Sequence, residues 1–376
     1  MDVKIIPSPL QGKMRTVSSK MGAHRALIIS ALANQKTEIE INNNSEEVRA
    51  TIACLKTLGA YLFNNENSIT VRPINRETMD ISVIDCINSF ATLKFLLPII
   101  ATFNKTVEIT GERVLQKKNL EQFLYRLKGV GFTSEKLPFI LSGKLLSGEY
   151  NIPLDLGPQF ISGLIIALCT LDGDSTVSLI GESGLSAIHN TVELLKEFNV
   201  EIKKTESGYF IRGGQEFVSP ERLTLDTDKA YNHYINLVEK LINKDFLTDD
   251  IDAKNNFDLL VCATVLALLS NGDRRITFSE KLLEKESEKI CLFKDAIIKL
   301  GGMVELDNAL LVSGNKKVKG GAVIDTYKDA RIGMALTILS CFLEEETVLL
   351  GVENVLKNYP EFFNDLKSIG ANVVTL

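Results

Sequence analysis

An α/β fold of repeated units gathered into two lobes is what this sequence predicts, on three observations. First, an apolar helix, a polar turn and a short alternating run recur five times, as HRALIISALANQKTEIEI, FATLKFLLPIIATFNKTVEIT, QFISGLIIALCTLDGDSTVSLI, FDLLVCATVLALLSNGDRRITF and ARIGMALTILSCFLEEETVLL. Second, each is followed by another helix that ends in a related phrase: LKTLGA, LKGVGF, LKEFNV, IKLGGM and LKSIGA. Third, both series repeat at about seventy residues with one interval of about a hundred, and fixed-period self-similarity marks a repeat architecture. Helix alternating with strand gives the α/β class.

The opening segment, Lys20 to Ile41, sets the pattern. Lys20 and Arg25 stand at the entrance of a helix over Ala26 to Ala33 that is apolar all round and therefore expected to be buried. The run Thr37 to Ile41 alternates with the period of a half-buried strand. At the ends of the second helices, Gly59, Gly131, Asn199, Gly301 and Gly370 read as left-handed C-caps. The long interval holds LTLDTDKAYNHYINLVEKLINKDFLTDDID, which reads as one helix behind an N-cap at Asp226 or Asp228. It is the remnant of a sixth unit. Three units, a shortened fourth and two more give a lobe over residues 18–222 and a second over 1–17 plus 223–376, with the crossover near Arg222.

Length and composition agree. At 376 residues the chain exceeds one comfortable core. A hydrophobic content of 45% with 24% charged residues is that of an ordinary globular protein. The net charge of −6, with no basic tail, argues against nucleic-acid binding. No apolar run reaches membrane-spanning length, and MDVKIIPSPLQGK resembles neither a signal peptide nor a transit sequence. The six cysteines form no CxxC pair and read as reduced core residues. A cytoplasmic protein without metal, cofactor or membrane partner is the expectation, and a monomer.

Charges at the helix entrances carry the functional signal. Arg25, Lys94 and Arg331 lie near the starts of three of the five apolar helices, with Gln159 and Asp258 at the other two. Helix N-termini favour acids, so Arg25 and Arg331 oppose the dipole unless an anion lies between, and N-terminal N–H groups bind anions. The stretch LLEKESEK, Leu282 to Lys289, reads either as a solvated helix start with Glu286 and Lys289 as an i,i+3 pair, or as Lys285, Glu286 and Lys289 at a cleft mouth. The loops around Asp325 to Arg331 and Val355 to Pro360 are weaker signals. His24 reads as a capping or packing residue, and His189 and His233 lack obvious partners. No nucleophile elbow, metal-ligand spacing or Walker-type loop is present.

Together these segments resemble one family, the 5-enolpyruvylshikimate-3-phosphate synthases. SSKMGAHRALIISALA is similar to that family's GSKSxSxRAL opening, NSEEVRATIACLKTLGA to its D-D-V helix, and DCINSFATLKFLLPI to N-A-G-T-x-x-R-F-L. GERVLQKKNL, GPQFISGLIIAL, FDLLVCATVLAL, LLEKESEK, DTYKDARIGMAL and VLKNYPEFFNDLKSIG resemble the later motifs in the family's order. The resemblance implies two lobes of βαβαββ units, an inside-out α/β barrel, with the active site in the cleft between them. It implies transfer of the enolpyruvyl group of phosphoenolpyruvate to the 5-hydroxyl of shikimate-3-phosphate, with no metal. Carried over residue by residue, Lys20 and Lys118 would contact the phosphate of phosphoenolpyruvate. Lys94 matches an arginine of the family and would bind substrate. Lys289, Arg331 and Lys357 would surround the same substrate and its carboxylate. Arg25, Gln159 and Lys285 would belong to the shikimate side. Asp258 would be the base for the attacking hydroxyl, and Glu286 with Lys20 would manage the proton at the methylene carbon.

The chain also departs from the family's pattern. Met21 replaces a serine, and Phe90 and Ala91 replace a glycine and a threonine. Lys94, Lys118 and Lys289 replace arginines, losing the planar fork. Gly157 and Pro158 replace a serine pair, Ala330 replaces a histidine, and the serine and tyrosine expected near Ser183 to Ala187 cannot both be placed. A catalytically impaired or non-catalytic paralogue, binding another anion or a protein, is the alternative. A sister transferase acting on a UDP-sugar would be expected to carry a cysteine or aspartate between Gly111 and Leu120, which GERVLQKKNL lacks.

Overall fold

The computed structural model describes residues 1–65, 67–76, 79–181, 185–314 and 318–376. The chain opens on strand β1 (Val3–Ile6) and then enters its first repeat: α1 (Lys20–Ala31), β2 (Thr37–Glu40), α2 (Glu46–Thr57), β3 (Tyr61–Asn64) and β4 (Ser68–Arg72). The second repeat is β5 (Val83–Asp85), α3 (Phe90–Ile100), β6 (Val107–Thr110), the short helices α4 (Arg113–Gln116) and α5 (Glu121–Leu124), β7 (Val130–Phe132) and β8 (Phe139–Gly143). The third is β9 (Glu149–Pro153), α6 (Pro158–Cys169), β10 (Ser175–Ile180), α7 (Leu185–Glu197), β11 (Ile202–Lys204) and β12 (Gly208–Ile211), after which comes β13 (Arg222–Thr224). Helix α8 (Lys229–Ile242) then stands alone. The next repeat is β14 (Ile251–Asp252), α9 (Phe257–Leu269), β15 (Asp273–Thr277), α10 (Glu280–Lys299), β16 (Met303–Leu306) and β17 (Ala309–Ser313). The last is β18 (Val323–Asp325), α11 (Ala330–Cys341), β19 (Thr347–Leu350), α12 (Glu353–Asn358), α13 (Phe362–Ser368) and β20 (Asn372–Thr375).

Each repeat forms one four-stranded sheet by the same logic. A parallel pair needs a long crossover, and the apolar helix supplies it: β5 pairs with β6 in parallel across α3, from Val83↔Glu108 to Asp85↔Thr110. A hairpin then adds two antiparallel strands, as β8 beside β6 and β7 beside β8. In the first sheet the parallel partner of β2 is β13, which arrives from the end of the third repeat. In the last, β1 lies between β19 and β20, antiparallel to both.

The chain divides into two compact units, Ser18–Asp226 and Met1–Val17 with Thr227–Leu376. The first holds three sheets, and its core is built on α1, α3 and α6. Helices α3 and α6 approach so closely that a Cβ on Gly163 would overlap the Phe95 carbonyl, so glycine is required there. The second unit holds two sheets among the described residues, and its core is built on α8, α9 and α11. Its missing sheet is visible in the residues themselves. Helices α9 and α11 are buried nearly all round, whereas α8 buries one face through Tyr231, Tyr234, Ile235, Leu237, Val238 and Leu241. The other face of α8 exposes Lys229, Asn236 and Lys240, an amphipathic pattern that lets solvent stand where a sheet would otherwise pack. The shortened fourth unit is therefore a single helix.

Several local expectations need correction. Helix α1 begins at Lys20, not Ala26, because Ser19 caps it by accepting the Gly22 N–H. Arg25 consequently sits in the second turn, not at the entrance. The left-handed cap of the second repeat is Gly129 (φ +81°), while Gly131 lies inside β7. Gly59, Asn199, Gly301 and Gly370 do adopt positive φ. Asp228, not Asp226, caps α8. Five cysteines are buried, but Cys291 is exposed.

Candidate active site

In the first unit, the heads of α1, α2, α3 and α6 bring together one set of the candidate residues. Lys20, the first residue of α1, pairs with Glu47 of α2 at 2.5 Å. Lys94, one turn into α3, donates to Gln159 Oε1 at 2.9 Å. Gln159 in turn donates to the Met21 sulfur at 3.7 Å. Burial lowers the pKa of Lys94; Glu47 raises it and Lys118 lowers it further. The Phe90 ring meets two ammonium groups, with Lys94 Nζ at 4.9 Å and Lys118 Nζ at 5.6 Å from its centroid. Such contacts are worth roughly 0.5–2 kcal/mol each, so the ring holds both cations. Pro158 occupies the first position of α6, where its absent N–H leaves no helical bond unmade.

Arg25 is the deepest cation of this set, at 3% exposure. Its Nε donates to Thr191 Oγ1 at 2.6 Å, Nη1 to the Met21 carbonyl at 3.0 Å and Nη2 to the Ala187 carbonyl at 2.8 Å. All three acceptors are neutral, and burial lowers its pKa to about 10. Arg25 lines a cavity of about 510 Å³ with Met21, Ala187, Asn190 and Arg222, and the acids Glu193, Glu197 and Asp226 line it too. A buried guanidinium with neutral partners suits an anion on its own side of that cavity, while the three acids oppose one on theirs. Beside it, His24 is wholly buried, hydrogen-bonded through Nδ1 to Thr51 at 2.7 Å, and held neutral. Burial first, and then Lys20 and Arg25, depress its pKa to about 3.

In the second unit, the heads of α9, α10 and α11 bring together the acids. Asp258 lies in the first turn of α9 and accepts the Tyr234 hydroxyl at 2.8 Å. Burial raises its pKa; the Tyr234 bond, Arg331 and His233 work against that rise, and Asp329 adds to it. Glu286 is 6% exposed and faces the fork of Arg331, with both N–O distances at 3.0 Å. Lys289 reaches the same carboxylate at 3.1 Å, the i,i+3 pair read from the sequence. The Arg331 hydrogen bonds lead the effects that lower the Glu286 pKa. Asp329 caps α11 and binds Arg331 Nη2 at 2.8 Å. The anion that relieves Arg331 at a helix N-terminus is thus supplied by the protein itself. Arg331 also stacks over Phe257 at 4.4 Å.

Lys285 and Lys357 are exposed on α10 and α12. Ser183 lies outside the described residues. His189 and His233 do have partners: Glu193 at 3.6 Å and Asn256 at 3.0 Å. Sequence reasoning missed Glu47, Asp329 and Tyr234. The first two carried a signal, since each is an acid at the head of a helix already picked out; Tyr234 carried none.

With that geometry in view, comparison with known proteins decides the ancestry. The family model described as EPSP synthase (3-phosphoshikimate 1-carboxyvinyltransferase) matches residues 5–234 and 238–366. The chain belongs to the EPSP synthase family. The break in the match falls inside α8, at the shortened unit. Relatives named 3-phosphoshikimate 1-carboxyvinyltransferase from Clostridium acetobutylicum and Clostridium novyi are 29% and 30% identical. The first alignment covers 99% of this chain and 98% of the relative, the second 98% and 97%. An EPSP synthase structure from Acinetobacter baumannii superposes with a TM-score of 0.84 at 16% identity, covering all of both chains. An enolpyruvyl transferase from Streptomyces tendae gives 0.73 at 15% identity over 99% of this chain and 98% of its own. These structures establish the enolpyruvyl transferase fold.

Proposed function

We infer that the chain transfers the enolpyruvyl group of phosphoenolpyruvate to the 5-hydroxyl of shikimate-3-phosphate, releasing phosphate, in the route to aromatic amino acids. The observation that carries this reading is the whole-length family match together with a poised carboxylate at Asp258. Asp258 takes the proton of the attacking hydroxyl; its raised proton affinity suits a base better than a fully solvated aspartate would. Lys20, Lys94 and Lys118 bind the phosphate of phosphoenolpyruvate, and Arg25, Gln159 and Lys285 bind shikimate-3-phosphate. Lys289, Arg331 and Lys357 take the phosphoenolpyruvate carboxylate and stabilise the tetrahedral intermediate.

Glu286 gains its role from the pairing with Arg331. A substrate carboxylate competing for that fork releases Glu286 and removes the leading cause of its lowered pKa, so that Glu286 can hold the proton it delivers to the methylene carbon. Among the described residues no helix is long and apolar enough to cross a membrane. The reading places the enzyme in the cytoplasm as a monomer with two small-molecule substrates and no nucleic-acid partner. Mass spectrometry of the reaction mixture tests it: the enolpyruvyl ether of shikimate-3-phosphate is expected, and its absence with folded protein and both substrates would overturn the reading.

A further inference from the structure

Helix α8 is all the regular structure between β13 and β14, yet it is tied to α9, α11 and α12, each of which carries a candidate residue. The Tyr231 hydroxyl donates to the Asn358 carbonyl at 2.6 Å, next to Lys357. His233 meets Asn256 at 3.0 Å, and Asn256 is the N-cap of α9, whose first turn holds Asp258. Tyr234 is wholly buried, its hydroxyl 2.8 Å from Asp258 Oδ1 and 3.4 Å from the Arg331 carbonyl. Packing alone would be served by phenylalanine at 234. A buried phenol costs free energy unless its hydroxyl is bonded, and here the short bond goes to a carboxylate.

We propose that Tyr234 is the positioning residue of the Asp258 carboxylate, and that α8 remains in the shortened unit because it holds that carboxylate in place. The proposal rests on the reading of Asp258 as the base. The hydroxyl occupies Oδ1 and fixes the rotation of the carboxyl group, leaving Oδ2 as the oxygen that takes the substrate proton. Because a hydrogen bond to the charged form favours it, the phenol also keeps the carboxylate ionised against its burial. The other groups that act on Asp258 are His233 on α8, Arg331 and Asp329 at the head of α11, and the Cys262 thiol one turn along α9. Of the cationic and anionic groups among these, Arg331 and Asp329 oppose each other, so the hydroxyl of Tyr234 is the neutral group with direct hold on the oxygen.

The test is the titration of Asp258 itself, followed by carbon-13 NMR of labelled aspartate carboxyls and assigned with Asp258→Asn. In Tyr234→Phe the midpoint is expected to move to higher pH. In the same variant, kcat/KM on the rising side of its pH profile is expected to fall on the order of tenfold, the size of one lost charge-assisted bond. Tyr231→Phe, which removes a tie of the same helix remote from the carboxylate, leaves the midpoint where it is. Replacement of Tyr234 by 3-fluorotyrosine, nearly isosteric and a stronger donor, moves the midpoint the opposite way, and serves if Tyr234→Phe does not fold. An Asp258 midpoint that stays put in both replacements overturns the proposal, as does one that moves equally in Tyr231→Phe. Full turnover in Asp258→Asn would instead overturn the assignment of the base while the titration still decides the role of Tyr234.

Discussion

Replacing Glu286 by glutamine separates the structural from the chemical role of the acid cluster. The carboxylate accepts two Arg331 bonds at 3.0 Å and one from Lys289 at 3.1 Å, at 6% exposure. The carboxamide keeps one acceptor oxygen and loses the charge. Arg331 is not orphaned, because Asp329 still accepts from Nε at 3.2 Å and from Nη2 at 2.8 Å. The loss is therefore one charge-assisted hydrogen bond, about 1.5–3 kcal/mol, not the roughly 3–5 kcal/mol of a stranded buried charge. Urea unfolding followed by circular dichroism suits a chain without tryptophan. The pH dependence has a definite sign. Glu286 titrates lower in the folded chain than its ordinary value of 4.5, so its contribution is complete above that value and is lost as pH falls through the folded one. The gap between parent and Glu286→Gln closes in acid. A gap smaller than about 0.5 kcal/mol at pH 7, or one that persists in acid, would refute the reasoning.

Other consequences are as direct. Phe90→Ala removes the ring that meets Lys94 and Lys118, and the freed ammonium groups should lower the KM for phosphoenolpyruvate several-fold; an unchanged or higher KM in steady-state kinetics would show that the ring is not competing for them. Gly163→Ala drives a methyl group into the Phe95 backbone, and thermal melting should report a loss of about 1–3 kcal/mol or more in the unit that holds α3 and α6; a melt like the parent's would mean the helices part freely. His24 is held neutral down to about pH 3 against 6.5 ordinarily, so its contribution is complete above 6.5 and is lost as pH falls toward 3. His24→Gln should therefore show a flatter decline of stability across that window in urea titrations, and an identical slope would contradict the burial argument.

The repeat was legible because it is written in local pattern: buried helices with apolar runs, strands at Thr37, Thr176 and Thr347, and glycine caps at Gly59 and Gly301. So was the loss of most of one unit, from spacing alone. What local pattern cannot carry is depth and pairing. Lys20 and Arg25 read as charges at the entrance of a helix from Ala26, yet Ser19 starts the helix early, and Thr191 and Ala187, far along the chain, bury Arg25. Arg331 looked like an unopposed cation until Asp329 and Glu286 came to meet it. Gly129 and Gly131 are equivalent to any pattern, and the hairpin of β7 with β8 chooses between them. Tyr234 lay in a segment that pattern marked only as a remnant.

The most direct test of the central claim is phosphate release from phosphoenolpyruvate, measured with and without shikimate-3-phosphate, in the parent protein and in Asp258→Ala. Release that needs both substrates and collapses in the variant is the predicted result. No release from folded parent protein at high enzyme and substrate concentrations, or release that survives the loss of Asp258, would contradict it.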